Sequence, residues 1–236
     1  MTEYTFNSRA ILSPNHSTRY PMPSLLVDTI PIVPGRTSTG VKVYLFDLLR
    51  AMPKVDRAQV TLLTTLSNES FFSALDGYRT ITVPWKVSSR AIRVLTQQSI
   101  VPVVALATGA DVLFEPVDTA AILTPVPIVT TLHSSHINMT SDQMSASRTL
   151  YNRVFLQGTV RRSRRLIAIS QFVKDSTVDI LNADPECVDV VHHGGGLVEK
   201  NLKDGWHPDD EERTGGILFI STLYPHKNAE GVIRAY

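Results

Sequence analysis

Apolar residues along this chain gather in short runs separated by polar stretches that contain glycine and proline. Leu25, Leu26 and Val27, with Ile30 just beyond, make the first run, which ends at Pro31 and Pro34. That pattern predicts a buried strand leading into a loop. Val41, Tyr44, Leu45, Leu48, Leu49 and Met52 then recur at the spacing of one helix face. The loop between them carries Gly35 and Gly40, and Ser38 or Thr39 is placed to cap the helix.

The alternation continues. Residues 60–65 (VTLLTT) are rich in β-branched side chains and predict a second strand. Residues 80–83 predict a third, stopped by Pro84. Residues 88–98 have helical spacing, and Pro102 is expected to break that helix and open a second short one. Residues 111–114 and 128–132 predict strands four and five, the latter ending at His133. After a polar loop, 134–145, a long helix is expected from Ala146 to Arg164, then a sixth strand over 166–169. Ser170 is expected to cap a helix bearing Phe172, Val173, Thr177, Ile180 and Leu181. Residues 188–191 predict a seventh strand that runs into His192, His193 and three glycines. Strands alternating with helices predict an α/β fold with a Rossmann-like, doubly wound parallel sheet. In such sheets ligands collect at the carboxyl ends of the strands.

The two ends of the chain read differently. Residues 1–23 form an N-terminal extension with no apolar segment of the secretory type, and folding is expected to begin near Met22. The first domain spans 24–200. Residues 201–215 are polar and acidic (Asp209, Asp210, Glu211, Glu212) and predict a linker. Residues 216–236 hold one fresh apolar strand, 217–220, and the opening of a helix with Val232 and Ile233, so they predict only the start of a second domain.

Composition narrows the function classes. Hydrophobic residues are 43% and charged residues 19% of 236, enough for a real core. Lys+Arg is 23 against Asp+Glu 22, so no global field selects nucleic acid or another polyanion. No run of about 18 apolar residues predicts a membrane span. The single cysteine, Cys187, is expected to be a small buried hydrophobe and suits a reducing compartment. No His/Cys/Asp cluster has metal-ligand spacing, and there is no nucleophile elbow and no phosphate loop with its lysine. The first loop also lacks the glycine pattern of a dinucleotide-binding oxidoreductase.

Several loop motifs occur in one order. They are Ser38, Thr39, Gly40 and Val41 with Tyr44; Gln97, Gln98 and Pro102, then Asp111 to Leu113; residues 129–133 (VTTLH); residues 166–170 (LIAIS) with Lys174; residues 190–194 (VVHHG); and residues 217–220 (ILFI) with Pro225, His226, Lys227 and Asn228. The series resembles the family 4 GT-B glycosyltransferases, which retain anomeric configuration and use nucleotide-sugar donors. It looks most like the bacterial mannosyl- and rhamnosyltransferase-like members of polysaccharide assembly. The resemblance implies an acceptor-side Rossmann-like domain followed by a donor-binding one, whose ribose- and sugar-holding glutamate pair would lie past Tyr236. The chain by itself is therefore expected to be inactive.

The resemblance also assigns roles. His133 would touch the reacting sugar or acceptor, although Ser134 stands where the family often has Asp. Gly40, with Thr39, would let the donor diphosphate approach the start of a helix. Lys227 would offset charge on the leaving diphosphate; the arginine that the family often places upstream is missing from Ser221, Thr222 and Leu223. Ser38, Ser170, His193 and Gly194 would line the cleft. Arg161, Arg162, Arg164 and Arg165 form a basic cluster that either complements a helix end or meets anionic lipid. The expected activity is hexose transfer to a glycan or lipid-linked acceptor, in the cytoplasm or at the membrane's cytoplasmic face. No cofactor is expected beyond the nucleotide-sugar co-substrate. A non-catalytic acceptor-binding module and a nucleotide-sugar hydrolase or epimerase stay open as alternatives.

Overall fold

A computed structural model describes residues 23–33, 39–133, 146–194, 218–220 and 227–236. The chain divides into two units, 1–194 and 195–236. The first unit holds a seven-stranded parallel sheet in the order β3-β2-β1-β4-β5-β6-β7. The strands are β1 (Leu25–Asp28), β2 (Val60–Thr65), β3 (Arg79–Val83), β4 (Val112–Glu115), β5 (Ile128–Leu132), β6 (Ser163–Ala168) and β7 (Val188–Val190). The helices between them are α1 (Thr39–Ala51), the short α2 (Glu69–Phe72), α3 (Arg90–Thr108), α4 (Ala146–Arg162) and α5 (Gln171–Leu181). This is the doubly wound, Rossmann-like arrangement expected from the sequence.

The pleat explains the layers. Leu26 faces the helix α3 side with Leu63, Leu113, Val101 and Ala105, while its neighbour Val27 faces α1 and α2 with Leu62, Leu45, Leu49 and Phe72. All six residues of β2 are buried, as a strand covered on both faces requires. A third apolar group joins Leu132, Leu166 and Val188 to α4 and α5 through Leu156, Val160 and Val173.

Four expectations are corrected. Pro102 does not divide the helix: α3 runs unbroken for 19 residues with Pro102 inside it. An internal proline costs about 3 kcal/mol. Against this, Gln97, Val101 and Ala105 keep one face in the core, Ser89 caps the start through Ile92 N–H, and Gly109, at φ 62°, closes the end in the left-handed conformation. The uninterrupted helix also has the length and composition of a membrane span, which a break at Pro102 would remove.

Next, α4 ends at Arg162 and β6 begins at Ser163, so the four arginines do not share a helix end. The β5–β6 register slips between Ile128 and Val129, where Ser163 and then Arg165 are paired and Arg164 is passed over. Arg162 donates to Ile122 O and Thr124 O, and Arg165 forms a two-pronged ion pair with Asp189. Arg161 and Arg164 are exposed.

Cys187 is half-exposed rather than buried. It closes a 3₁₀ turn, Pro185–Cys187, and the chain enters the core only at Val188. Finally, Leu218, Phe219 and Ile220 form no strand and are exposed, since no strand among the described residues pairs with them. The second unit also contains α6 (Ala229–Ala235), capped by Asn228. Met22 and Ser38 lie outside the described residues.

Candidate functional site

Strand order reverses between β1 and β4, which is where a doubly wound sheet opens a ligand crevice beyond the carboxyl ends of its strands. Three groups of side chains occupy this edge of the first unit.

The first group is aromatic. His133 follows β5 directly, and its backbone N–H donates to Asp118 Oδ1 at 2.7 Å. Its Nε2 lies 2.8 Å from Pro116 O. A carbonyl only accepts, so Nε2 carries the proton, and in the neutral ring the lone pair sits on Nδ1. Tyr44, from α1, meets the His133 ring edge-on at 4.8 Å and stacks on His193 at 4.6 Å. The two imidazole centroids are 5.3 Å apart. The Tyr44 hydroxyl is bonded to the buried Thr131 hydroxyl at 2.9 Å, which fixes the ring. Burial pushes the Tyr44 phenol up from its usual range, so it remains protonated. Partial burial, then the repulsion that His133 exerts when both rings are protonated, pull His193 down and favour its neutral form.

The second group lies beneath that edge and has no counterpart among the sequence expectations. Asp28 ends β1 and Glu115 ends β4, side by side and fully buried, with their carboxyls hydrogen-bonded to each other. Gln97 of α3 sends its amide to Asp28 Oδ2 at 2.8 Å, Thr119 O at 3.1 Å and Glu115 Oε2 at 3.3 Å. Ile30 N–H donates to Asp28, and Ala121 N–H to Glu115. Burial raises Asp28 to about 6, offset in part by these bonds and by Arg93. Burial, then the negative charge of Asp28, raises Glu115 well above the carboxylate range. Glu115 therefore holds the proton and donates it to Asp28. The sequence signal is an acidic residue closing each of two apolar runs (LLVD and VLFE), opposite a glutamine at a core position of a helix.

The third group is built on Asn68, which is also buried and also absent from the sequence expectations. Its Oδ1 accepts from Thr65 N–H at 2.8 Å, and its amide donates to Thr29 O at 2.7 Å and Ile32 O at 3.0 Å. It ties the turn after β1 to the end of β2. The loop after β4 is pinned in a similar way. Ala120 N–H donates to Thr159 Oγ1, and Gln98 bonds both Ala120 O and Ile122 N–H.

Of the residues singled out from sequence, the structure brings together His133 and His193. Gly40 is exposed in the first turn of α1, where amides have no helical partner. Thr39 opens the same helix, and its side chain lies outside the described residues. Ser170 is the N-cap of α5, its hydroxyl accepting from Val173 N–H. Gly194 is exposed, with nothing within 4 Å of the place a Cβ would take. Lys227 belongs to the second unit and is exposed there, just before the capping Asn228. Among the described residues no group of three His, Cys, Asp or Glu is placed to hold a metal ion.

The sequence profile of Glycosyltransferase Family 4 matches residues 38–194, which include β4, His133 and His193 but begin after β1. No curated protein matches the chain. Among solved structures, the Anabaena protein HepE, in complex with UDP and glucose, is 14% identical with a TM-score of 0.50, over 73% of this chain and 45% of that one. A glycosyltransferase from Rickettsia africae is 15% identical with a TM-score of 0.48, over 81% and 48%. UDP-GlcNAc 2-epimerase from Methanocaldococcus jannaschii is 13% identical with a TM-score of 0.46, over 72% and 45%. The chain thus spans about half the length of these structures or less.

Proposed function

The chain belongs to Glycosyltransferase Family 4, and from that premise we propose that it serves transfer of a hexose from a nucleotide-sugar to a glycan or lipid-linked acceptor, with retention, in polysaccharide or glycolipid assembly in the cytoplasm. The observation that carries this reading is His133. It is held at two points, backbone and ring, at the crevice of a doubly wound sheet, with Nδ1 left as its accepting atom. Such an atom can orient a sugar hydroxyl. Gly40, with Thr39, gives first-turn amides to the donor diphosphate. Lys227 offsets the charge that develops as the nucleotide leaves. Ser170, His193 and Gly194 would line the cleft, and Ser38 would join them by its place in the sequence motif. No metal is required for these roles.

With the donor-binding domain present, His133→Ala is expected to lower the turnover of nucleotide-sugar by about a hundredfold, the usual worth of a positioned acid–base or orienting group. Nucleotide-sugar affinity is expected to change far less. Unchanged turnover would remove His133 from the reaction.

A second reading is a non-catalytic acceptor-binding module. Calorimetry separates the two: acceptor glycan bound without nucleotide-sugar favours the module. Contact with anionic lipid through arginine falls in either case to Arg161 and Arg164, because Arg162 and Arg165 are engaged within the fold.

A further inference from the structure

Helix α3 turns apolar side chains outward as well as inward. Gln97, Val101 and Ala105 face the core. At 100° per residue, the side directly opposite carries Ile92, Leu95, Ser99, Val103 and Leu106. An ordinary surface helix is charged there. Here no charged residue occurs from Val94 to Thr108, and Leu95 is 69%, Val103 61% and Leu106 65% exposed.

The order of the exposed residues indicates what covers them. They are spaced evenly about Ser99: Leu95 and Val103 lie four residues to either side, Ile92 and Leu106 seven, Ala91 and Ala107 eight. A pattern that reads alike in both directions is complementary to its own copy run antiparallel. Side by side, two such helices would set Leu95 against Val103, Ile92 against Leu106 and Ala91 against Ala107, with Ser99 on a two-fold axis. A small residue there lets the helix axes approach to about 8 Å. The Ser99 hydroxyl already donates to Leu95 O at 2.6 Å, so covering it orphans nothing. The other polar side chains along this stretch are also engaged within the chain. Thr96 accepts from Trp85, Gln97 and Gln98 serve the loop after β4, and Thr108 donates to Val104 O. The face thus offers a polar or charged partner nothing to bond. Antiparallel packing also sets the amino end of each helix beside the carboxyl end of the other, where their partial charges attract.

We propose that the outer face of α3 is a self-association surface, occupied by the same helix of a second copy packed antiparallel about Ser99. Four large apolar side chains from each copy make a small interface, below the about 1,200 Å² of a standard one, so dimerisation in the micromolar range is expected. Helix α3 returns antiparallel to the strands, so a two-fold axis across it reverses the strands of one copy relative to the other. The two crevice edges then lie at opposite ends of the pair, and pairing does not cover His133. The proposal does not rest on the activity assigned to that crevice.

Sedimentation equilibrium of the chain over a concentration range of about a hundredfold tests this, with a monomer–dimer equilibrium expected. The double variant Leu95→Gln, Leu106→Gln should raise the dissociation constant about a hundredfold or more, with an unchanged circular dichroism spectrum. Mild oxidation in a Cys187→Ser background reads the register. Ser99→Cys should join two chains by a disulfide, because the axis brings its copy within bridging distance. Leu95→Cys should not, since its copy lies about 12 Å away along the pair. A monomer at every concentration would overturn the proposal. So would a dimer that the leucine changes leave intact, or cross-linking that is absent at position 99 or equally fast at 95. Flotation of a monomer with phosphatidylcholine vesicles, abolished by the leucine changes, would overturn it by giving the face to lipid. Sugar transfer enters none of these readouts.

Discussion

Asn68→Ala is expected to lower stability by about 3–4 kcal/mol, measured as a fall in the urea midpoint. The residue is wholly buried, and its amide group serves backbone atoms from two segments. Truncation takes a partner from Ile32 O and from Thr65 N–H, and a buried backbone group left without one costs about 1–3 kcal/mol. Thr29 O keeps the Ile32 N–H at 2.9 Å, so it contributes less. The space left by the amide adds a smaller cavity cost. Asn68→Asp separates bonding from packing. It keeps the shape and the acceptor for Thr65, but turns a second oxygen toward Thr29 O and Ile32 O. Its loss should therefore match that of alanine near neutral pH and shrink in acid, where a protonated carboxyl can donate. An alanine variant within about 1 kcal/mol of the parent would show that the turn after β1 is held by other means.

That turn illustrates what the chain discloses before it folds. Residues 60–65 and 128–132 are legible to the residue, because parallel strands buried on both faces must be continuous apolar or β-branched runs. Ser170 is legible as a cap because its bond is local, three residues long. Pro102 misleads because its cost is local and visible, while the core contacts of Val101 and Ala105 that outweigh it are not. Asp28 and Glu115 are hidden for a different reason. Each is 87 residues from the other along the chain, and only the pairing of β1 with β4 makes them neighbours. Asn68 bonds Thr65 only three residues away, but its tie to Thr29 spans 39 residues and is invisible along the chain. His133 and His193 both stand out in the sequence, yet the ring between them shows there only as part of a motif: Tyr44 arrives from α1, on another crossover of the sheet.

The buried carboxyl pair should make stability depend on pH, and Glu115→Gln should abolish much of that dependence. In the unfolded chain both acids ionise near pH 4. Folded, Asp28 does so at about 6 and Glu115 well above its ordinary range, so from about pH 4 upward through the folded values the folded state binds more protons than the unfolded one. Stability then falls as pH rises from about 4 through the folded values, and is level beyond them. Every tenfold difference in proton affinity between the folded and unfolded states corresponds to about 1.4 kcal/mol. The charged and titratable groups that face the pair are few: Arg93 from α3, beside the neutral Gln97, acts on Asp28. Glutamine at 115 reproduces the protonated acid, with an oxygen for Ala121 N–H and an amide to donate to Asp28. The variant should thus match the parent near pH 4 and exceed it at pH 8 by about 1–3 kcal/mol in urea denaturation. Gln97→Leu should act in the opposite sense. It withdraws the amide that serves Asp28, Glu115 and Thr119 together, and should cost about 3 kcal/mol, more as pH rises and the uncompensated charge grows. Because Thr119 adjoins the Asp118 that holds His133, the same variant should also broaden the His133 ring resonances. Parallel pH profiles for the parent and Glu115→Gln would mean that the proton is not shared between Asp28 and Glu115.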